Sequence, residues 1–189
     1  IYSIALKRMI LWEAKPGDYD VYSFFYVRKW LADKIISATR YTLLPLYTTI
    51  YFPPWLRMAG AKVGRRAEVS TLWYFSPDLI EIGAGSFFAD GSIIGGKRIH
   101  RGRFQIARNK IGERSFVGNS AILPIGKSLG DRCLLGVQSV PPMEFSKTPD
   151  GSDWLGSPSF QLPLRHPSLA FSDKEPFEPT TSLIIQRLF

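Results

Sequence analysis

The chain has 189 residues, 45% of them hydrophobic and 21% charged, which allows a buried core and excludes a wholly disordered polymer. Lys and Arg outnumber Asp and Glu by 24 to 16, a net charge of +8. One cysteine, Cys133, excludes an internal disulfide framework and a cysteine-built zinc site, and two histidines, His100 and His166, are too few for a three-histidine catalytic metal centre, so no metal is expected.

The charge divides the chain into three stretches. Residues 1–60 carry eight basic and four acidic side chains, residues 61–140 twelve and six, and residues 141–189 four and six. The last stretch also holds eight of the fourteen prolines, which predicts an extended capping loop and tail. The chain starts at Ile1 and stops on the apolar run SLIIQRLF, which reads as a piece of a longer protein. No apolar run reaches the about 18 residues a membrane-spanning helix needs.

In the first stretch, residues 19 to about 43 read as a helix with Tyr22, Phe25, Tyr26, Lys29 and Trp30 on one face and Asp18 or Asp20 as its cap. Pro45 interrupts it. A second, short helix starts near Pro54 and stops at Gly60. Between Arg40 and Arg57 no side chain is charged, and Tyr, Phe and Trp abound. That segment reads either as a buried packing layer or as a surface meeting a bilayer interface.

The middle stretch repeats every six residues. Apolar residues open the hexads at Val63, Val69, Phe75, Ile82, Phe88, Ile94, Ile111, Val117, Leu123, Leu129 and Leu135. Glycine follows directly in seven of these eleven units, and the fifth slot is small in seven: Ala67, Ser86, Ser92, Ser115, Ala121, Cys133 and Ser139. A sandwich of alternating strands would show period two. Period six predicts a coil of short parallel strands, eighteen residues per three-sided circuit, with the opening aliphatics stacked inside. The N-terminal helices then cover one end.

One residue is inserted between Phe75 and Ile82, and a larger irregularity, GGKRIHRGRFQIARNK, separates Ile94 from Ile111. It holds His100 and six basic residues: Lys97, Arg98, Arg101, Arg103, Arg108 and Lys110. It reads either as a loop exported from the coil or as a distorted coil wall, since His100 is also in frame with the hexads. No nucleic-acid motif accompanies the charge, and no nucleic-acid partner is expected.

This pattern resembles the hexapeptide-repeat acyltransferase superfamily over roughly residues 61–140. The resemblance implies a mainly β fold: a left-handed parallel β-helix over 61–140, an N-terminal helical cap over 1–60 and a Pro-rich tail over 141–189. It implies that His100, on an excursion from the coils, takes a proton from the acceptor nucleophile as that attacks a thioester. Arg98, Arg101 and Arg103 would hold phosphates of coenzyme A or a phosphopantetheine arm. Leu155-Gly156-Ser157-Pro158 loosely matches the loop that lies beside that arm in the family, with Ser159 where alanine is usual, so Gly156 and Ser157 are candidate arm contacts. Read from residues alone, the same segment simply caps the last coil through Trp154. The γ-class carbonic anhydrases share the implied fold but need three histidines.

Lys15-Pro16-Gly17, then PPWLRMAGAKVGRRAEVS, SPDLIEIG, Ala89-Asp90-Gly91 and DWLGSPSFQLPLR together resemble the C-terminal region of membrane-bound non-ribosomal peptide synthetases of the poly-lysine synthetase type. That resemblance implies an acyltransferase-like domain that positions an aminoacyl thioester for amide formation. It implies a carrier domain and sibling β-helix domains as partners, a homotrimer or pseudo-trimer, a membrane domain nearby, and a cytoplasmic place at the inner face of the plasma membrane. The alternative is a scaffold module with no chemistry of its own.

Overall fold

The computed structural model describes residues 2–163, 177–178 and 180–186; His166 and most of the proline-rich tail lie outside the described residues. The N-terminal part runs through α1 (Tyr2–Ile10), β1 (Gly17–Asp20), α2 (Phe24–Ala38), α3 (Arg40–Leu43) and α4 (Phe52–Ala59). The helix expected from residue 19 begins later. Gly17–Asp20 is drawn into a strand, and Ser23 becomes the cap, its hydroxyl accepting from the Tyr26 amide at 3.2 Å. Tyr22 therefore precedes the helix and is exposed, and Trp30 is partly exposed; the buried face is Lys29, Ala32 and Ile36. The second helix is as the prolines and glycine predict. Pro53 and Pro54 occupy its first turn, and Gly60 ends it at φ 121°.

The uncharged segment between Arg40 and Arg57 is mainly a packing layer. Leu43, Tyr47, Phe52, Trp55 and Leu56 are buried, with Tyr47 and Phe52 edge to face at 4.6 Å and Trp55 edge-on to Phe75 at 6.5 Å. Tyr41, Leu44 and Tyr51 point outward.

Beyond Gly60 the chain coils. The first circuit is β2 (Lys62–Val63), β3 (Glu68–Val69) and β4 (Leu72–Tyr74); the second is β5 (Ile80–Ile82), β6 (Phe87–Phe88) and β7 (Ser92–Ile94). The chain then leaves the coil as β8 (Arg98–His100) and β9 (Arg103–Ile106). It returns as β10 (Asn109–Ile111), β11 (Phe116–Val117) and β12 (Ile122–Leu123), then β13 (Ser128–Leu129) and β14 (Leu134–Leu135). Strands stack in parallel into three walls: β2–β5–β10–β13, β3–β6–β11–β14 and β4–β7–β12. Partners lie 18 residues apart after the excursion, as Ile111 and Leu129, and 29 apart across it, as Ile82 and Ile111, so eleven residues are added without breaking register.

The hexad frame is the core. Val63 is partly buried, and the other ten opening aliphatics and phenylalanines are buried in one continuous cluster. The small fifth residues are buried too, and their serine hydroxyls stitch circuits together, as where Ser86 Oγ donates to Gly112 O at 2.7 Å and Ser115 Oγ to Gly130 O at 2.8 Å. The repeated glycine serves close approach rather than an unusual φ: a Cβ on Gly83 would sit 2.5 Å from backbone atoms of Gly112 and Glu113.

At the far end Ser128 bridges to Lys147, β15 (Asp153–Gly156) adds in parallel to β14, and β16 (Ser159–Gln161) folds back antiparallel. Trp154 lies in register beneath Leu135 and closes the stack, while the far tail returns to the coil as Phe177 accepts from Arg66 at 3.3 Å. Thr181–Gln186 forms a last short helix, α5.

Candidate functional site

The excursion is a built hairpin and not a bare loop. Arg101 and Gly102 form its two-residue turn at φ 47° and 74°, the mirror-image turn that matches strand twist. β9 pairs with β8 on one side and with β1 on the other, all antiparallel, in the order β1-β9-β8. His100 is thus on a hairpin and not on a coil wall. Alternation along β9 buries Phe104 and Ile106 against Leu11, Ala14 and Ala32, with Tyr26 edge-on to Phe104 at 5.1 Å.

Cross-strand partners share a face of a sheet. His100 is aligned with Arg103 and Asp20, and Arg98 with Gln105 and Asp18, so these six project from one face. Arg103 is engaged: its Nε donates to Asp18 Oδ1 at 3.0 Å and a terminal nitrogen to Asp18 O at 2.9 Å. Arg108 lies 3.7 Å from Glu13. Arg98, His100 and Arg101 are exposed, and among the described residues none of their side chains has a hydrogen-bond or ion-pair partner. The hairpin brings His100, Arg98 and Arg101 together on open surface and commits Arg103 to holding the hairpin against β1.

Gly156 is elsewhere. It ends β15 at φ 93°, its N–H donating to Ser139 Oγ at 2.8 Å and its carbonyl accepting from Val140 N at 3.1 Å. Ser157 follows, exposed, in the turn to β16. The hairpin leaves the prism at the edge between the third and first walls, whereas Gly156 stands where the second wall turns toward the third, at the end of the stack. A single chain does not bring His100 and Gly156 to one edge.

Sequence reasoning missed the charged groups beneath the cap. Lys7 is buried and ion-paired with Asp78, and it also donates to Ala59 O at 3.3 Å. The other Asp78 oxygen accepts from Ala14 N at 3.0 Å. Lys29, equally buried, pairs with Asp33, and the Tyr74 hydroxyl donates to Asp33 at 3.4 Å. Burial lowers the Lys29 pKa against the pull of Asp33, and burial first, then Asp33, raises that of Tyr74. Lys7 gave no signal, and Lys29, though on the aromatic face of its helix, did not reveal a buried pair, because each looks like a surface residue until its partner is found. An open groove of about 490 Å³ lies on a third edge, lined by Arg57, Lys62, Gly64, Gly83 and Glu113, and it contains none of the candidate residues. Among the described residues no three His, Cys, Asp or Glu side chains gather as a metal site.

The chain has a fold that an acetyltransferase shares. It is similar to a maltose O-acetyltransferase from Clostridium difficile 630, with a TM-score of 0.54, 16% identity, and 85% of this chain and 97% of that one covered. At that identity the likeness concerns fold alone. In sequence the chain is 39% identical over 189 residues to the delta-poly-L-ornithine synthetase of Acinetobacter baumannii (strain AB307-0294), which covers all of this chain and 14% of that protein. The chain matches no protein-family profile. It is a hexapeptide-repeat coil with the fold of an acetyltransferase, and it is similar to a segment of a delta-poly-L-ornithine synthetase.

Proposed function

We propose that this left-handed β-helix domain serves a larger peptide synthetase by positioning an aminoacyl thioester, carried on a phosphopantetheine arm, for attack by the amine of another monomer. The observation that carries this is the full-length likeness to a segment of a synthetase, in a chain whose fold is shared with an acetyltransferase. Amide formation makes a nitrogen–carbon bond, breaks the carbon–sulfur bond so that the arm leaves as its thiol, and moves one proton from the amine toward that sulfur. His100 is the group proposed to take that proton, and imidazole suits the task near neutral pH. Arg98 and Arg101, exposed and without ion-pair partners among the described residues, suit a phosphate. Arg103 does not, because Asp18 holds it. Gly156 and Ser157 on one copy would complete the arm's path only beside the hairpin of a sibling domain or second copy, since the two lie on different edges of one chain.

The test uses the intact synthetase. His100→Ala should abolish polymer formation while adenylation and carrier loading stay normal. Unchanged polymer yield overturns the catalytic role. A second reading, a non-catalytic scaffold, is favoured by one feature: no described side chain orients the His100 ring, as a partner usually does for a general base. Unchanged yield from His100→Ala, with assembly lost when the coil is unfolded, would establish it.

The same reading includes a nearby membrane. The buried lysines of α1 and α2, Lys7 paired with Asp78 and Lys29 paired with Asp33, mark the inward side of each helix, so their exposed positions lie on the opposite side. Those positions include Tyr2, Met9, Phe24, Val27, Trp30 and Leu31, together with Arg8 and Lys34, and no exposed carboxylate. Apolar rings flanked by cations suit an anionic bilayer interface. The domain should co-sediment with phosphatidylglycerol vesicles and not with phosphatidylcholine vesicles, and Phe24→Ser with Trp30→Ser should abolish this. Equal binding by that variant rejects the surface. Among the described residues no helix is long and apolar enough to cross a membrane.

A further inference from the structure

β8 is the outer strand of its sheet, and among the described residues no backbone pairs with its free edge. The two-residue turn at Arg101-Gly102 makes His100 and Arg103 the pair that exchanges both backbone hydrogen bonds. Bonded pairs alternate along an antiparallel ladder, so Arg98 and Gln105 form the next, and Ile99 with Phe104 falls between. The N–H and C=O of Ile99 therefore point away from β9, toward solvent. The Ile99 side chain is itself 51% exposed.

Proteins usually guard such an edge with charge, a bulge or a covering segment. Here the guard is of one sign. Lys97, Arg98 and Arg101 surround Ile99, and none has a carboxylate partner among the described residues, whereas Arg103 and Arg108, further along, are both paired. Cations repel a basic strand and leave a neutral one unrewarded. They favour a strand that brings carboxylates to the positions opposite Arg98 and His100.

We infer that the free edge of β8 is a docking site for an extended, acid-rich polypeptide segment that adds to this sheet as a fourth strand. The segment has an apolar residue opposite Ile99, sharing its side of the sheet, and an acidic residue on either side. Two backbone hydrogen bonds to Ile99 supply register, and the arginines supply selection and encounter rate. The inference is independent of any proton transfer by His100, because the readout is binding without turnover.

The probe is a fluorescein-labelled Gly-Glu-Val-Glu-Gly peptide, read by anisotropy against the whole chain. Saturable binding is expected, falling with added salt. Methylating the valine amide nitrogen should weaken it at least tenfold, and hydrogen exchange at the Ile99 amide should slow on binding. Arg98→Glu with Arg101→Glu should weaken the acidic peptide at least tenfold and let the Gly-Lys-Val-Lys-Gly peptide bind in its place, which also shows that the variant is folded. Three results would overturn the inference: no saturable binding up to about 1 mM; an N-methylated peptide that binds as well as its parent; or a short oligonucleotide that binds through the same arginines while the peptide does not.

Discussion

The coil interior and the joint between coil and cap are both buried, yet they are built from opposite materials. Inside the coil, Ile111, Val117, Leu123, Leu129 and Leu135 stack in apolar layers. Each layer resembles the next, so the stack supplies stability but no unique address. At the joint, Lys7 meets Asp78 and Lys29 meets Asp33, each lysine at most 3% exposed in its side chain. Buried ion pairs add little net stability over apolar residues of the same shape, because desolvation offsets attraction. Their value here is positional. One carboxylate, Asp78, binds Lys7 of α1 and the backbone of Ala14, so the helices seat in one place on a coil that otherwise repeats.

The sharpest way to break this contrast is to put a charge where the coil has none. Val117 is fully buried in the apolar core cluster, and Val117→Asp should cost about 4 kcal/mol or more, because it puts a charge among apolar side chains. Circular dichroism should show the coil unfolded; a soluble protein with a normal melting curve would mean that Val117 does not face inward. Next comes removal of half a pair. Asp78→Ala strands the Lys7 ammonium among carbonyls and should cost about 3–5 kcal/mol by urea denaturation. Replacing both partners, Lys7→Met with Asp78→Leu, should restore most of that loss while speeding hydrogen exchange in α1. Unchanged exchange in a restored double variant would remove the positional role.

The smallest effect is on pH dependence. Tyr74 has its pKa raised above the ordinary 10.0, first by burial and then by Asp33. The unfolded chain releases that proton near pH 10 while the folded chain keeps it. Stability is therefore undiminished below pH 10 and falls as pH rises above it. Tyr74→Phe should make Tm less steeply dependent on pH above 10, with a change at neutral pH of about 1 kcal/mol or less. Tyr47, also raised by burial, leaves part of the slope in place. An alkaline slope identical to that of the parent would show that Tyr74 is not the group responsible.

What the residues announced in advance was local and periodic. Val69 and Phe88 lie one circuit of 19 residues apart and Val117 and Leu135 one of 18, with the excursion lengthening only the interval between Phe88 and Val117 to 29, so one rule of spacing fixes their common direction and the identity of their neighbours. Pro53, Pro54 and Gly60 bound α4 because their constraints act on their own backbone. The start of α2 is not legible in the sequence, because Asp18 and Asp20 have equal claims as caps until β9 makes Gly17–Asp20 a strand.

The candidate site was legible only as a list of residue types. That His100, Arg98 and Arg101 are open while Arg103 is tied to Asp18 depends on a strand 85 residues away in the chain. Likewise, the separation of His100 from Gly156 follows from which wall each strand joins, and the pairing of Lys7 with Asp78 spans 71 residues. Periodic side-chain chemistry by itself determined the coil, since burial of a repeated aliphatic is decided within each circuit and its neighbours. Tertiary structure alone decided which charges are spent and which remain free, because a charge is neutralised by whatever the fold brings beside it, and no rule of spacing along the chain encodes that meeting.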